Sequence, residues 1–330
     1  MKLPFPQTLT EASTVLQRVL GDAAPNLAQL RAKLPDALRH AFEPKPPSQQ
    51  DSRFLSLSYD GPEGSRPYKL YVPSGYHGQP VPLIVMLHGC TQSPDDFAAG
   101  TRMNEAAEAQ TCFVVWPQQV KSANMHGCWN WFRSGDQQRG RGEPAIIAGI
   151  THQIMTQYSV DPRRVYVAGL SAGGAAAAIM GENYPDVFAA VGVHSGLPCG
   201  AAHDMSSAMK AMKHGSRGII PRAGSGLPPA IVFHGAADNV VHPTNGDAVV
   251  AQVAGGARLQ AQAEDGATPG GHAWRRTLYR DADGMVKIEH WLVRGSGHAW
   301  SGGSPAGTYT DPRGPDATTE MLRFFLAHPK

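Results

Sequence analysis

Val165-Tyr166-Val167-Ala168-Gly169-Leu170-Ser171-Ala172-Gly173-Gly174 is the stretch whose reading decides the fold. A run of β-branched, aromatic and small apolar residues breaks off at Gly-Leu-Ser-Ala-Gly, and Ala175-Ala176-Ala177-Ala178-Ile179-Met180 follows at once. The first run suits a buried strand and the alanines suit a helix, with no room between them for a loop. The pattern predicts a strand, a sharp turn and a helix, with Ser171 at the apex of a Gly-x-Ser-x-Gly elbow. Gly169 and Gly173 keep side chains out of a turn whose neighbours crowd together. The serine hydroxyl then stands at a helix N-terminus, where the helix dipole favours a developing negative charge.

Outward from the elbow, strands and helices alternate. Phe54–Tyr59 and Tyr68–Val72 read as a hairpin around Asp60-Gly61-Pro62-Glu63-Gly64. Pro82–His88 is a nearly continuous apolar run, as expected of a strand covered on both faces. A helix over Asp95–Gln110, a strand over Cys112–Trp116 and an amphipathic helix over Glu143–Tyr158 lead back to the elbow strand. Beyond it come short strands at Ala189–Val193, Ala230–Phe233 and Val286–Val293, and a closing helix at Asp316–Ala327. This alternation predicts an α/β fold, a mostly parallel central sheet flanked by helices. Residues 1–50 stand apart: two helical stretches, Thr10–Leu20 and Asn26–His40, end in the Pro-rich linker Glu43–Gln50. The expected organisation is a helical arm over 1–50 and a catalytic domain over 51–330. The arm could cover a sheet edge, lie across a neighbouring subunit to make a homodimer, or be poorly ordered, and the sequence does not choose among these.

A serine hydroxyl needs a base, and the base needs a carboxylate to orient it. In the α/β-hydrolase arrangement these follow the serine in the order acid, then histidine, each after a strand. Ala230-Ile231-Val232-Phe233-His234-Gly235-Ala236-Ala237-Asp238 is a strand, a loop and an acid, so Asp238 is the expected carboxylate. Two similar segments offer a base, Gly271-His272-Ala273-Trp274 and Gly297-His298-Ala299-Trp300. His298 follows a strand and precedes the final helix, whereas His272 precedes one, so the topology favours His298. Donors for an oxyanion are expected from the amide of Ala172 and, in the loop His88-Gly89-Cys90-Thr91, from the amide of Cys90. His88, His194 and His234 also sit at strand ends and read as local hydrogen-bonding residues. No His or Cys pair has metal-ligand spacing, and the serine machinery needs no cofactor, so neither metal nor cofactor is expected.

These residues resemble the polyhydroxybutyrate depolymerase family of esterases, relatives of some feruloyl and acetyl xylan esterases. The matching segments are Leu87-His88-Gly89-Cys90-Thr91-Gln92, Cys128-Trp129-Asn130-Trp131-Phe132, Arg139-Gly140-Arg141-Gly142-Glu143-Pro144, Gly169–Gly174, His194-Ser195-Gly196 and Gly297-His298-Ala299-Trp300-Ser301-Gly302-Gly303. The resemblance implies the same three positions, Ser171, Asp238 and His298, and a disulfide between Cys90 and Cys128. It makes Trp129, Asn130, Trp131 and Trp300 candidates for substrate contact. The implied substrates are esters, oligomers or soluble polymers, because no separate polymer-binding module is visible in the chain. The fold also hosts a poly(aspartic acid) hydrolase, and Arg133, Arg139 and Arg141 are compatible with a polyanion. A scaffold that merely binds a partner through residues 1–50 would require a degraded triad, and all three positions carry the required residue types.

Composition removes other classes. A net charge of +2 over 330 residues, with no basic run of five, speaks against nucleic-acid binding. No apolar stretch reaches membrane-spanning length. The start Met1-Lys2-Leu3-Pro4-Phe5-Pro6 lacks the apolar core of an export signal. The expected compartment is therefore the cytoplasm, or an exported one if such a signal has been removed. A disulfide fits the second setting better.

Overall fold

The computed structural model describes residues 53–216 and 226–330. The helices and linker expected over residues 1–50, and the subunit contact assigned to them, lie outside the described residues. The hairpin forms from β1 (Phe54–Gly61) and β2 (Gly64–Tyr71), paired antiparallel up to Gly61 and Gly64. The apolar runs become β3 (Val81–Leu87), β4 (Phe113–Pro117), β5 (Val160–Leu170), β6 (Ala190–His194), β7 (Ala230–Gly235) and β10 (Val286–Val293). All are parallel, in the spatial order β4-β3-β5-β6-β7-β10.

Strand pleating explains why these runs are apolar throughout. Leu83, Val85 and Leu87 face one core with Val165 and Val167, whereas Ile84 and Met86 face the other with Tyr166 and Ala168. Helices cover both faces: α1 (Pro94–Thr101), α2 (Met103–Gln110), α3 (Gly142–Gln157), α4 (Ala172–Asn183), α5 (Met205–His214), α6 (Thr244–Ala254) and α7 (Ala317–Leu326). The last is capped by Asp316, which accepts the Thr319 amide, and it buries Met321, Phe324 and Phe325. None of the described helices is long and apolar enough to cross a membrane.

Two expectations change. The single helix over 95–110 is broken at Arg102, whose left-handed backbone (φ 57°) ends α1 and opens α2. The carbonyl of Thr101 accepts instead from the Thr318 hydroxyl at 2.6 Å, which ties the break to α7. The sheet also gains β8 (Gln260–Ala267) and β9 (Ala273–Arg280): β9 pairs antiparallel with β10, and β8 pairs antiparallel with β9 at the edge. Strand β8, Gln-Ala-Gln-Ala-Glu-Asp-Gly-Ala, is exposed along nearly its whole length and has no apolar face to betray it. Its hydrogen-bond ladder and pairs such as Arg275–Asp265 at 2.8 Å hold it. The finished sheet has ten strands, parallel in the middle and antiparallel at both edges. The C-terminal ends of β3, β5, β7 and β10 lie along one margin, and every candidate catalytic residue sits in a loop or turn just beyond them.

Candidate active site

The elbow is built by close approach. A side-chain carbon at Gly173 would overlap the carbonyl oxygen of Leu87, and one at Gly169 would overlap the carbonyl of Gly173. Ser171 itself takes φ 59° and ψ −119°, a backbone that L residues rarely adopt and that persists only where its surroundings enforce it. Two bonds enforce it here. Its amide donates to the His194 carbonyl at 2.9 Å, and its carbonyl accepts from Ala175 in the first turn of α4.

Asp238 and His298 meet because β7 and β10 are parallel neighbours. The following loops are laced together by Ala236 N to Val293 O (2.8 Å) and Ala237 N to Ser296 O (3.0 Å). Gly235 is required there, since a side chain would overlap the Ser296 and Gly297 carbonyls. Asp238 Oδ2 lies 2.7 Å from His298 Nδ1, and its Oδ1 accepts the amides of Val240 and Val241 at 2.9 Å each. The carboxylate is fully covered and the imidazole is 10% exposed. Burial alone would raise the Asp238 carboxyl, but the His298 hydrogen bond and charge, the Val241 amide and His234 outweigh it, leaving it below the ordinary carboxylate value. The ionised acid accepts a hydrogen bond from Nδ1–H of His298, the arrangement that in a neutral imidazole leaves Nε2 as the acceptor.

His194 joins the two halves. Its carbonyl holds the Ser171 amide, while its ring Nε2 accepts the amide of Ser301, three residues past His298, at 3.0 Å. The ring lies between Phe233 and Trp300, at centroid distances of 5.7 and 5.0 Å, with Nδ1 on the Ser195 hydroxyl. Burial, with the neighbouring His234 and His298, pulls its pKa down to about 3. It is a neutral strut. His88 and His234 are likewise hydrogen-bonded, through Gly89 O and Gln119 N for the first and Val241 O for the second.

The candidate oxyanion loop faces the elbow: a carbon on Gly89 would lie 3.7 Å from Ser171 Cβ. The amide of Gly89 is engaged by Gln92 Oε1, that of Thr91 by His126 O, and that of Gln92 by Gly89 O. The Cys90 amide has no acceptor among the described residues. Ala172 opens α4, where first-turn amides have no partner within the helix. The Cys90–Cys128 disulfide is formed and spans a sequence separation of 38. Of the other cysteines, Cys112 is buried beside β4, and burial pushes its thiol up to about 12.

The four residues expected to touch substrate are buried. Trp129, Asn130, Trp131 and Trp300 are 0%, 2%, 6% and 1% exposed. Trp300 packs edge-on against Phe97 and donates its indole N–H to Thr318. Trp129 donates to the His88 carbonyl at 3.1 Å. Asn130 gives both its amide and its side-chain nitrogen to Glu143, at 2.6 Å each. Glu143 is a buried carboxylate that burial raises, also held by Gln119, with Arg66 at 3.9 Å. It anchors the segment carrying Cys128, a role its place at the start of a helix did not announce. The rival histidine, His272, sits 2.7 Å from its own carboxylate, Asp311. Among the described residues no three His, Cys, Asp or Glu side chains gather as metal ligands do.

The chain is similar to several known proteins. A family model described as esterase PHB depolymerase matches residues 66–264. Poly(3-hydroxyalkanoate) depolymerase C of Paucimonas lemoignei is 34% identical over 253 residues, which cover 73% of this chain and 58% of that protein. Poly(3-hydroxybutyrate) depolymerase of Ralstonia pickettii is 28% identical, over 69% of this chain and 49% of its own. The chain thus spans about half the length of these two depolymerases. Feruloyl esterase B of Thermothelomyces thermophilus is 26% identical over 72% of this chain and 85% of its own. Among solved structures, an acetyl xylan esterase from Aspergillus awamori superposes with a TM-score of 0.66 at 20% identity, covering 83% of this chain and 99% of that one. That likeness is one of fold, the α/β-hydrolase fold.

Proposed function

Because this chain belongs to the PHB depolymerase family of esterases, we propose that it is a serine hydrolase cleaving carboxylic esters of hydroxyalkanoate-type polymers or oligomers. The observation that carries the reading is the buried Asp238–His298 hydrogen bond at 2.7 Å, together with Ser171 in a left-handed turn whose amide is held by the same His194 that holds Ser301. Ser171 Oγ attacks the ester carbonyl as its proton passes to His298 Nε2. The carbonyl oxygen, now an oxyanion, accepts from the amides of Cys90 and Ala172. The intermediate collapses, the alkoxide leaves with the proton from His298, and an acyl ester on Ser171 remains. Water then repeats the sequence, giving its proton to His298 and its oxygen to the acid product. Asp238 stays ionised throughout and stabilises the imidazolium. The Cys90–Cys128 disulfide supports an oxidising, exported setting for this chemistry.

A second reading, hydrolysis of single feruloyl or acetyl esters, draws support from the 85% of feruloyl esterase B that the chain covers. The polyanion reading draws less, because Arg139 is already paired with Asp186. Initial rates on a hydroxybutyrate trimer, on methyl ferulate and on p-nitrophenyl acetate separate the first two readings. Ser171→Ala is expected to lower turnover of whichever ester is cleaved by roughly a thousandfold or more. Undiminished turnover in that variant would remove Ser171 from the reaction.

A further inference from the structure

With the tryptophans buried, the surface that meets substrate must be sought elsewhere. Among the described residues, six non-glycine positions have positive φ: Thr91, Arg102, Thr111, Ser171, Ser195 and Tyr309. Arg102 and Thr111 cap helices, Ser171 is the elbow, and Ser195 follows His194. Thr91 (φ 66°) and Tyr309 (φ 52°) remain, and they touch, with Thr91 Oγ1 3.2 Å from the Tyr309 hydroxyl. Such backbone is held only where surrounding bonds over-determine it, and functional sites are where it collects.

The bonds holding this pair are numerous. Gln92, 8% exposed, accepts the Gly89 amide on Oε1 and donates from Nε2 to the Thr308 carbonyl (3.1 Å) and to Asp96 (2.8 Å). Asp96 in turn accepts the Thr308 amide at 2.9 Å and its hydroxyl at 2.6 Å. The Tyr309 carbonyl accepts the Trp300 amide at 2.7 Å, two residues beyond His298. One side chain and one carboxylate therefore weld the loop carrying Tyr309 to the loop carrying Cys90, and a backbone bond fixes it to the histidine loop. Despite this rigid mounting, Tyr309 is 47% exposed, and it is the only aromatic among the described large hydrophobic residues that are exposed. Met125, 81% exposed, precedes His126, whose carbonyl holds the Thr91 amide.

We infer that Tyr309 is a specificity-determining residue, its ring forming an apolar wall for the unit of an aliphatic hydroxy-ester chain that adjoins the scissile bond. The inference rests on the proposed esterase reading. The chemistry fits such a chain, in which methyl and methylene groups alternate with ester oxygens. The ring face covers the first, the phenol offers a donor to the second, and Met125 extends the apolar rim. A rigidly mounted ring also loses little freedom when substrate arrives.

Tyr309→Ala tests it by two routes. In the enzyme with Ser171 intact, the preference in kcat/KM for hydroxybutyrate trimer over p-nitrophenyl acetate is expected to fall roughly tenfold, the size of one lost aromatic contact. Tyr309→Phe is expected to keep most of the preference. In the Ser171→Ala background, the Kd for the trimer is expected to rise by about the same factor on adding Tyr309→Ala. A preference and a Kd that Tyr309→Ala leaves unmoved would overturn the assignment, as would equal losses on both esters or failure of the Ser171→Ala protein to bind trimer at all. Failure of the esterase reading looks different: trimer binds and Tyr309→Ala weakens it, yet the intact protein turns over no ester.

Discussion

His194 Nε2 accepts the backbone amide of Ser301 at 3.0 Å, while the carbonyl of the same histidine accepts the amide of Ser171. One buried residue thus sets the spacing between the turn that presents the hydroxyl and the loop that presents the imidazole. The two are 127 residues apart in sequence, taking Ser171 and His298. Nothing local could hold them in register.

Removing that strut should misplace the base rather than unmake it. His194→Leu is expected to lower kcat by roughly a hundredfold, the scale of an ångström's displacement in a reacting pair, with a smaller change in KM. His194→Gln, which can offer an acceptor oxygen to Ser301, is expected to recover part of the rate. Steady-state kinetics on p-nitrophenyl acetate check both, and wild-type kcat in the leucine variant would dismiss the role.

The two His–Asp pairs are separable. Asp238→Asn should lower kcat by roughly 10³–10⁴, because an amide no longer selects the Nδ1–H tautomer or stabilises the imidazolium. Asp311→Asn should cost less than about tenfold, since that carboxylate serves His272 and Arg313. The opposite ranking would transfer the base role to His272.

Reduction should loosen the oxyanion loop. A bridge of sequence separation 38 contributes about 4 kcal/mol in the chain-entropy picture. Urea titrations with and without dithiothreitol should differ by an amount approaching that figure. Equal midpoints would mean that the bridge leaves the folding equilibrium untouched.

Acid should unfold the protein through its buried imidazoles. Burial holds His194 at about 3 and His234 at about 4, and it lowers His88 and His290 as well. The unfolded chain titrates its histidines near 6.5. Between those values the unfolded state binds protons that the folded state does not, so stability rises with pH. His194 and His234 each take away roughly 1.4 kcal/mol per pH unit as the solution is brought from about pH 6 towards 4, and His88 and His290 act in the same direction. Asp238, depressed in the fold, adds a loss in the same direction at still lower pH. Melting temperature followed from pH 7 to 4 should fall steadily, and a flat profile would contradict the burial of these rings.

What was legible in the sequence was whatever is local. The unbroken apolar runs at 81–87 and 165–170 announce strands buried on both faces, and the glycines at 169 and 173 announce a turn without room for side chains. The placement of Ser171, Asp238 and His298 just beyond strand ends was legible because each follows an apolar run of that kind. Strand β8 was illegible because it buries nothing, and its existence depends on pairing with β9. The break at Arg102 was hidden because it answers to Thr318, more than two hundred residues away. The burial of the tryptophans was illegible for a related reason: an aromatic beside a candidate catalytic segment can face inward or outward, and only packing decides. Gln92, Asp96, Glu143 and Tyr309 owe their roles to partners remote in the chain, so their own neighbourhoods carry little signal.

The pairing of β7 with β10 has a consequence for how the protein comes into being. As the chain leaves the ribosome, the elbow, its helix and most of the sheet are complete well before residue 298 emerges. The imidazole docks on its carboxylate only when the last sheet strands are in place. On the proposed mechanism, a fragment released before β10 would carry the serine without the base meant to deprotonate it.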